Sequence, residues 1–154
     1  MKKILPFLLL ITGICHGQIV NVPDPGFKYN LIMEGVDTNN DGNIQVSEAL
    51  ATTSLTLHHL ENDYIEDITG LEAFINLTYL EMNGWPSLGG TLDVTMMPNL
   101  TYLDCSVDQF TSIDVTGLSH LETLICEFNA IPSLDLTGCT ALKALDCSSN
   151  PLTT

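Results

Sequence analysis

Three cysteines set the frame of this chain: 21 positions separate Cys105 from Cys126, and 21 more separate Cys126 from Cys147. Around them three segments line up, NLTYLDCSVDQFTSIDVTG, HLETLICEFNAIPSLDLTG and ALKALDCSSNPLTT, starting at Asn99, His120 and Ala141. Leu100, Leu121 and Leu142 share one position, and Leu103, Leu124 and Leu145 a second. On the far side Ile113 matches Leu134, and Val115 matches Leu136. A fixed period of this length calls for a stack of like turns, each burying its apolar face against the next. The common frame is LxxLxCxxNx[LIF]xx[IL]DVTG. Its L-x-C alternation predicts a short strand, with Leu and Cys facing the core and the residues between them facing out.

Periodicity also decides the chemistry of the thiols. Stacked in-register strands lie about 4.8 Å apart with parallel Cβ vectors, whereas a disulfide needs Cβ atoms about 3.5–4.5 Å apart and pointing at each other. Cys105, Cys126 and Cys147 are therefore expected to be buried small hydrophobes. At the N position stand Asp108, Asn129 and Asn150, side chains suited to hydrogen-bonding the backbone where the chain leaves the strand.

Upstream the frame continues with altered spacing. ITGLEAFINLTYLEMNG sets out Ile68, Leu71, Phe74, Leu77, Leu80 and Met82, with Met82 in the cysteine position, 23 residues before Cys105. The two extra residues are placed within WPSLGG, residues 85–90. LHHLENDYIEDI is a weaker turn, with Leu60 near the cysteine position and Asp63, Ile65 and Ile68 completing it.

From about Leu55 onward these residues resemble the leucine-rich-repeat superfamily, in particular the short internalin-like and LxxLxCxxN repeats of secreted bacterial proteins. The resemblance implies an α/β fold leaning to mostly β: a right-handed solenoid with a parallel sheet on its concave face, irregular or short helical segments on its convex face, and a short N-terminal helical cap. It also implies a role in protein recognition, although a fold alone does not fix a function. Outward-facing concave residues are then Tyr79 and Glu81, Tyr102 and Asp104, Thr123, Ile125 and Glu127, and Ala144, Asp146 and Ser148. Tyr79, Glu81, Tyr102, Asp104, Thr123, Ile125, Glu127 and Asp146 form the candidate strip for a protein or glycan ligand, with Trp85 and Phe128 near one edge.

Ahead of the repeats lies the sharpest local motif, DTNNDGNIQVSE, residues 37–48. Asp37, Asn39 and Asp41 fall at positions 1, 3 and 5 of a twelve-residue EF-hand-type loop, Gly42 at 6, Asn43 at 7 with its carbonyl, and Glu48 at 12. A hard cation needs several oxygens, so Ca2+ is the expected cofactor. Position 8, Ile44, is expected to turn inward, and Gln45 at position 9 to act through water. With three carboxylates and no second loop, affinity is expected at about 10⁻⁴ to 10⁻³ M. The combination VPDPGFKYNLI, acidic loop, then repeats looks like a capping arrangement of secreted repeat proteins. Phe27, Leu31 and Ile32 would cover the open end of the first turn.

MKKILPFLLLITGICHGQ has the layout of a secretory signal peptide: two lysines, an apolar run too short to span a bilayer, then small residues. Residues 1–17 are assigned to it, residues 18–54 to the cap and residues 55–154 to the solenoid, which is expected to be incomplete because Thr154 falls in mid-turn. Lipid attachment at Cys15 is the less favoured alternative, since Thr12, Gly13 and Ile14 make a poor lipoprotein signal. The protein is thus expected outside the cell, secreted or at its surface, with no membrane span.

Formal charge is −15, and beyond Lys2 and Lys3 only Lys28 and Lys143 face 19 Asp and Glu. Such a surface repels phosphate backbones, which excludes nucleic acid, and favours basic partners. Nothing points to an enzyme: His58 and His59 would face opposite sides of a strand, His120 stands apart, and no GxSxG, HExxH or phosphate loop is present. Two functions fit, a calcium-stabilised extracellular interaction or adhesion module, and a structural spacer of a larger surface protein.

Overall fold

A computed structural model describes residues 17–58 and 64–153. The expected signal segment therefore lies outside the described residues apart from Gly17, as do Leu60, Asp63 and His59.

The described residues open with a strap at residues 17–22, followed by α1 (Pro25–Met33) and α2 (Val46–Ala51). Helix α1 starts where Asp24 caps it, its Oδ1 accepting the Phe27 N–H at 2.8 Å, with Pro25 at the first helical position. The other oxygen of Asp24 accepts the N–H groups of Glu66 and Asp67, so one carboxylate ties the cap to the first turn of the solenoid. Phe27 and Leu31 are completely buried and Ile32 is half-buried against the same core. They close the end of the stack as expected.

Among the described residues the solenoid is built on a parallel sheet of five three-residue strands, β1 (Ser54–Thr56), β2 (Tyr79–Glu81), β4 (Tyr102–Asp104), β6 (Thr123–Ile125) and β7 (Ala144–Asp146), in the order β1-β2-β4-β6-β7. Register is exact from strand to strand, so Leu55, Leu80, Leu103, Leu124 and Leu145 form one stack. The next inward position holds Leu57, Met82, Cys105, Cys126 and Cys147, all free of disulfides where they are cysteines. Leu57 takes the place in the first turn that the sequence pattern assigned to Leu60: its N–H bonds Glu81 O just as the Met82 N–H bonds Asp104 O. The first turn is thus 25 residues long, and that length hid its phase.

The convex side carries irregular stretches and a 3-10 turn at Leu71–Ala73, as expected, and adds a second, two-stranded parallel sheet of β3 (Gly89–Asp93) and β5 (Gln109–Asp114), with a register shift between Gly90 and Thr91. Leu92, Phe110 and Ile113 turn inward from it. The repeated Asp-x-Thr that ends each of these segments forms a compact turn. Asp93, Asp114 and Asp135 each accept the N–H of the threonine two residues on, as does Asp67 in the first turn.

Packing between turns is tight enough to require glycine. A Cβ on Gly138 would lie 2.7 Å from Gly117 Cα, and its φ of 88° already excludes most side chains. At the other end Gly70, φ 107°, would meet the strap at Val22 and at Asn21 O. The far end is open: Leu145 is 44% exposed, and Leu134, Leu136, Leu145, Cys147 and Leu152 line an apolar groove.

Candidate functional site: the concave strip and the acidic loop

Strand register brings the predicted concave residues together in two rows. Tyr79, Tyr102, Thr123 and Ala144 are successive neighbours, and so are Glu81, Asp104, Ile125 and Asp146. The tyrosine rings stack with centroids 4.5 Å apart and planes 7° from parallel, a spacing the sheet itself imposes on identical positions of adjacent strands. Below them the Tyr79 hydroxyl donates to Glu81 Oε2 at 2.5 Å. That bond, with burial and the charge of Glu81, holds the Tyr79 phenol well above its usual range. Burial first, and then the charges of Asp104 and Glu81, raise Tyr102.

Asp104 is buried more deeply than an outward strand position suggests. Its Oδ1 accepts both the N–H and the hydroxyl of Ser106, and its Oδ2 accepts one N–H of Asn83, whose amide also reaches Glu81 Oε1 at 3.2 Å. Asn83 therefore joins the two carboxylates, a role invisible in sequence because it lies just past the strand. Ser54 and Thr56 extend these two rows by one position each, beside Tyr79 and Glu81, missed because the first turn was phased on Leu60. Glu127 accepts from the Ser148 hydroxyl at 3.4 Å, and the Ser148 hydroxyl and N–H hold the exposed Asp146 below the usual carboxylate range. Trp85 does not belong to the strip. It is 1% exposed, its ring filling the core rather than the edge, whereas Phe128 is exposed, with φ 52°.

The acidic loop is folded and internally hydrogen-bonded. Asp37 accepts the N–H groups of Asp41 and Gly42, and Gly42 has the positive φ, 78°, that the bend requires. Glu48 Oε1 accepts from the Thr38 N–H and hydroxyl and the Asn39 N–H, while Oε2 accepts the Gln45 N–H and so caps α2. Burial opposes ionisation of Glu48, but the bonds from Gln45, Thr38 and Asn39 outweigh it and hold the group low. Asp41 is lowered by the Asn43 N–H and by the amides of Gln45, Asn43 and Asn39.

Gln45 lies between the loop's arms. Its Nε2 donates to both oxygens of Asp41, and its Oε1 accepts from Asn39 at 2.7 Å. Asn43 receives the Lys28 ammonium on its side-chain oxygen at 3.3 Å. Ile44 is buried as predicted, and Ile19 of the strap bridges Gln45, with bonds on either side from Val20 N–H to Ile44 O and from Val46 N–H to Gln18 O. Among the described residues no three His, Cys, Asp or Glu side chains converge closely enough to hold a metal ion. The donor types and their order fit a hard cation; the side chains are turned onto backbone N–H groups.

A family model described as the leucine-rich-repeat domain of endo-β-N-acetylglucosaminidase EndoS matches residues 43–150. The chain belongs to this leucine-rich-repeat family. The match is to the repeat domain of that enzyme. Among solved structures, this leucine-rich-repeat chain is similar to the functional domain of InlJ from Listeria monocytogenes, described as including a cysteine ladder. The TM-score is 0.67 at 31% identity, over 89% of this chain and 30% of that one. It shares its fold with two internalins of L. monocytogenes str. 4b F2365. These are inlF (TM-score 0.54, 18% identity, 86% of this chain and 45% of that one) and inlC2 (0.51, 21%, 83% and 66%). The chain thus spans less than a third of the InlJ domain and under half of inlF. No curated protein sequence matches it. Among the described residues no helix is long and apolar enough to cross a membrane.

Proposed function

We propose that this leucine-rich-repeat chain is an extracellular protein-interaction module that receives a basic segment of a partner protein on its concave strip. The observation that carries this reading is the stacked pair Tyr79 and Tyr102 set beside Glu81 and Asp104. Aromatic faces next to carboxylates suit a lysine or arginine side chain, which gains from the ring and from the charge together. The surrounding charge agrees: the whole chain carries −15, and the basic side chain nearest the strip in sequence, Lys143, is already paired with Glu122 at 2.7 Å. A protein partner is favoured over a glycan because the carboxylates flanking the rings supply charge that a neutral sugar does not use.

The test is binding of an arginine- and lysine-rich peptide set to the purified protein and to Tyr102→Ala, read by surface plasmon resonance at 50 and 300 mM salt. We expect binding that weakens with salt and falls about tenfold in the variant, the size of a single interface anchor. Equal binding by both proteins, with unchanged folding, would leave the strip as a solvated sheet and favour a spacer.

The same reading assigns calcium to the acidic loop as a stabiliser of the cap. Support comes from the donor set Asp37, Asn39, Asp41, the Asn43 carbonyl and Glu48, and from burial of Asp37 and Glu48 at the foot of α2. Binding would require the Gln45 amide to give up Asp41. A rise in unfolding midpoint with millimolar calcium that is lost in the Asp37→Ala, Glu48→Ala double variant tests the assignment.

A further inference from the structure

Three described residues form a ladder at the N position of the repeat, and the lowest rung is an acid. Asn129 Oδ1 accepts the Phe110 N–H, and its Nδ2 donates to the carbonyls of Cys105, Cys126 and Glu127. Asn150 repeats the pattern one turn on, accepting from Ile131 and donating to Cys126, Cys147 and Ser148. Asp108 keeps the first half of it: its Oδ1 accepts the Trp85 N–H at 2.7 Å. Its Oδ2 stands where the asparagines carry their NH2 group. Carried over by repeat register, the asparagines' acceptors correspond to the carbonyls of Met82, Cys105 and Ser106, which offer lone pairs and no proton. Oδ2 is buried and has no hydrogen-bond partner, in a residue only 6% exposed.

We propose that Asp108 is held in the folded protein as the neutral carboxylic acid, its Oδ2–H replacing an asparagine N–H, and that its ionisation loosens the Trp85 turn as a pH-sensitive latch. An ionised Oδ2 would face carbonyl oxygens in a dry site, the costliest arrangement for a carboxylate. The titratable groups packed around it give no relief. The Asp104 carboxylate at the end of β4 opposes the charge, the buried Cys105 thiol stays neutral, and among the described residues no cation offsets them. Burial, with the Asp104 charge, pushes Asp108 up to about 7 against the Trp85 N–H, which favours the anion.

The sign follows from proton binding. In the unfolded chain an Asp ionises at 3.8. Between that value and about 7 the folded form keeps a proton that the unfolded form has lost, so this residue makes stability fall as pH rises through the window and stay level above it. Acids of the Asp-x-Thr turns such as Asp114 and Asp135, lowered by their threonine partners, act in the opposite sense and at lower pH.

The experiment compares the full chain with Asp108→Asn, which completes the ladder and should fold at least as well, by thermal unfolding at pH 5, 6, 7 and 8. The variant is expected to be the more stable at pH 8, with a gap that narrows toward pH 5 by about 5 °C. Trp85, the single tryptophan, supplies a local readout. In the wild type its emission should red-shift and acrylamide quenching should rise between pH 6 and 8, while the variant stays flat. Asn129→Asp should install the same pH dependence one turn up. Parallel stability curves for wild type and Asp108→Asn, or a Trp85 signal that moves equally in both, would overturn the proposal.

Discussion

At the scale of single residues, the ladder asparagines bear most of the backbone accounting. A solenoid turn leaves the strand with N–H and C=O groups pointing inward, and Asn129 satisfies four of them with one side chain. Asn129→Ala should therefore cost about 2–4 kcal/mol in chemical denaturation, because buried partners are orphaned on both sides of the residue. Asn150→Ala should cost less, since its turn is half open to water. Equal small losses at both sites would mean that water enters the ladder freely. Sequence pattern revealed this role, because an amide every 21 residues beside a core position has few other uses. What it did not reveal was that Asp108, the rung of a different residue type, lacks the proton donor its neighbours supply.

At the scale of elements, the acidic loop and α2 form one unit with the strap. Ile44 and Gln45 pair with residues 18–20, and Glu48 caps the helix that follows. The cap therefore folds through hydrogen bonds of its own, and a cation would add to them rather than create them. At a calcium concentration about 100 times its Kd, linkage predicts about 2.7 kcal/mol of added stability, minus the cost of freeing Asp41 from Gln45. Gln45→Ala removes that competition, so its midpoint should rise more steeply with calcium than the wild type's. A wild-type midpoint that does not move with calcium, together with a Gln45→Ala midpoint that does not move either, would make the loop a plain capping turn. The motif was legible in its spacing. The Gln45 amide between Asn39 and Asp41 was not, since it depends on a side-chain torsion and not on residue order.

Across the whole molecule, stability should be graded along the stack. Phe27 and Leu31 seal the first turn and Met82, Cys105 and Cys126 lie in a dry interior, while Ala144 to Asp146 of β7 are exposed and bond on one side only. Amide hydrogen exchange should show β7 opening at least about ten times faster than β4, as expected when each turn is held chiefly by its neighbours; uniform protection would contradict that gradient. The repeat period determined by itself that the chain stacks in turns, which strand residues face the core and which row up on the concave side, because identical residues at a fixed interval admit only one register. Tertiary structure decided the rest. It set the phase of the first turn on Leu57, moved Trp85 from the edge to the interior, paired β3 with β5 on the convex side, and joined Glu81 to Asp104 through Asn83. Each of these depends on where a loop of irregular length closes, and the closure is fixed by packing and hydrogen bonding across turns, which no local stretch of sequence contains.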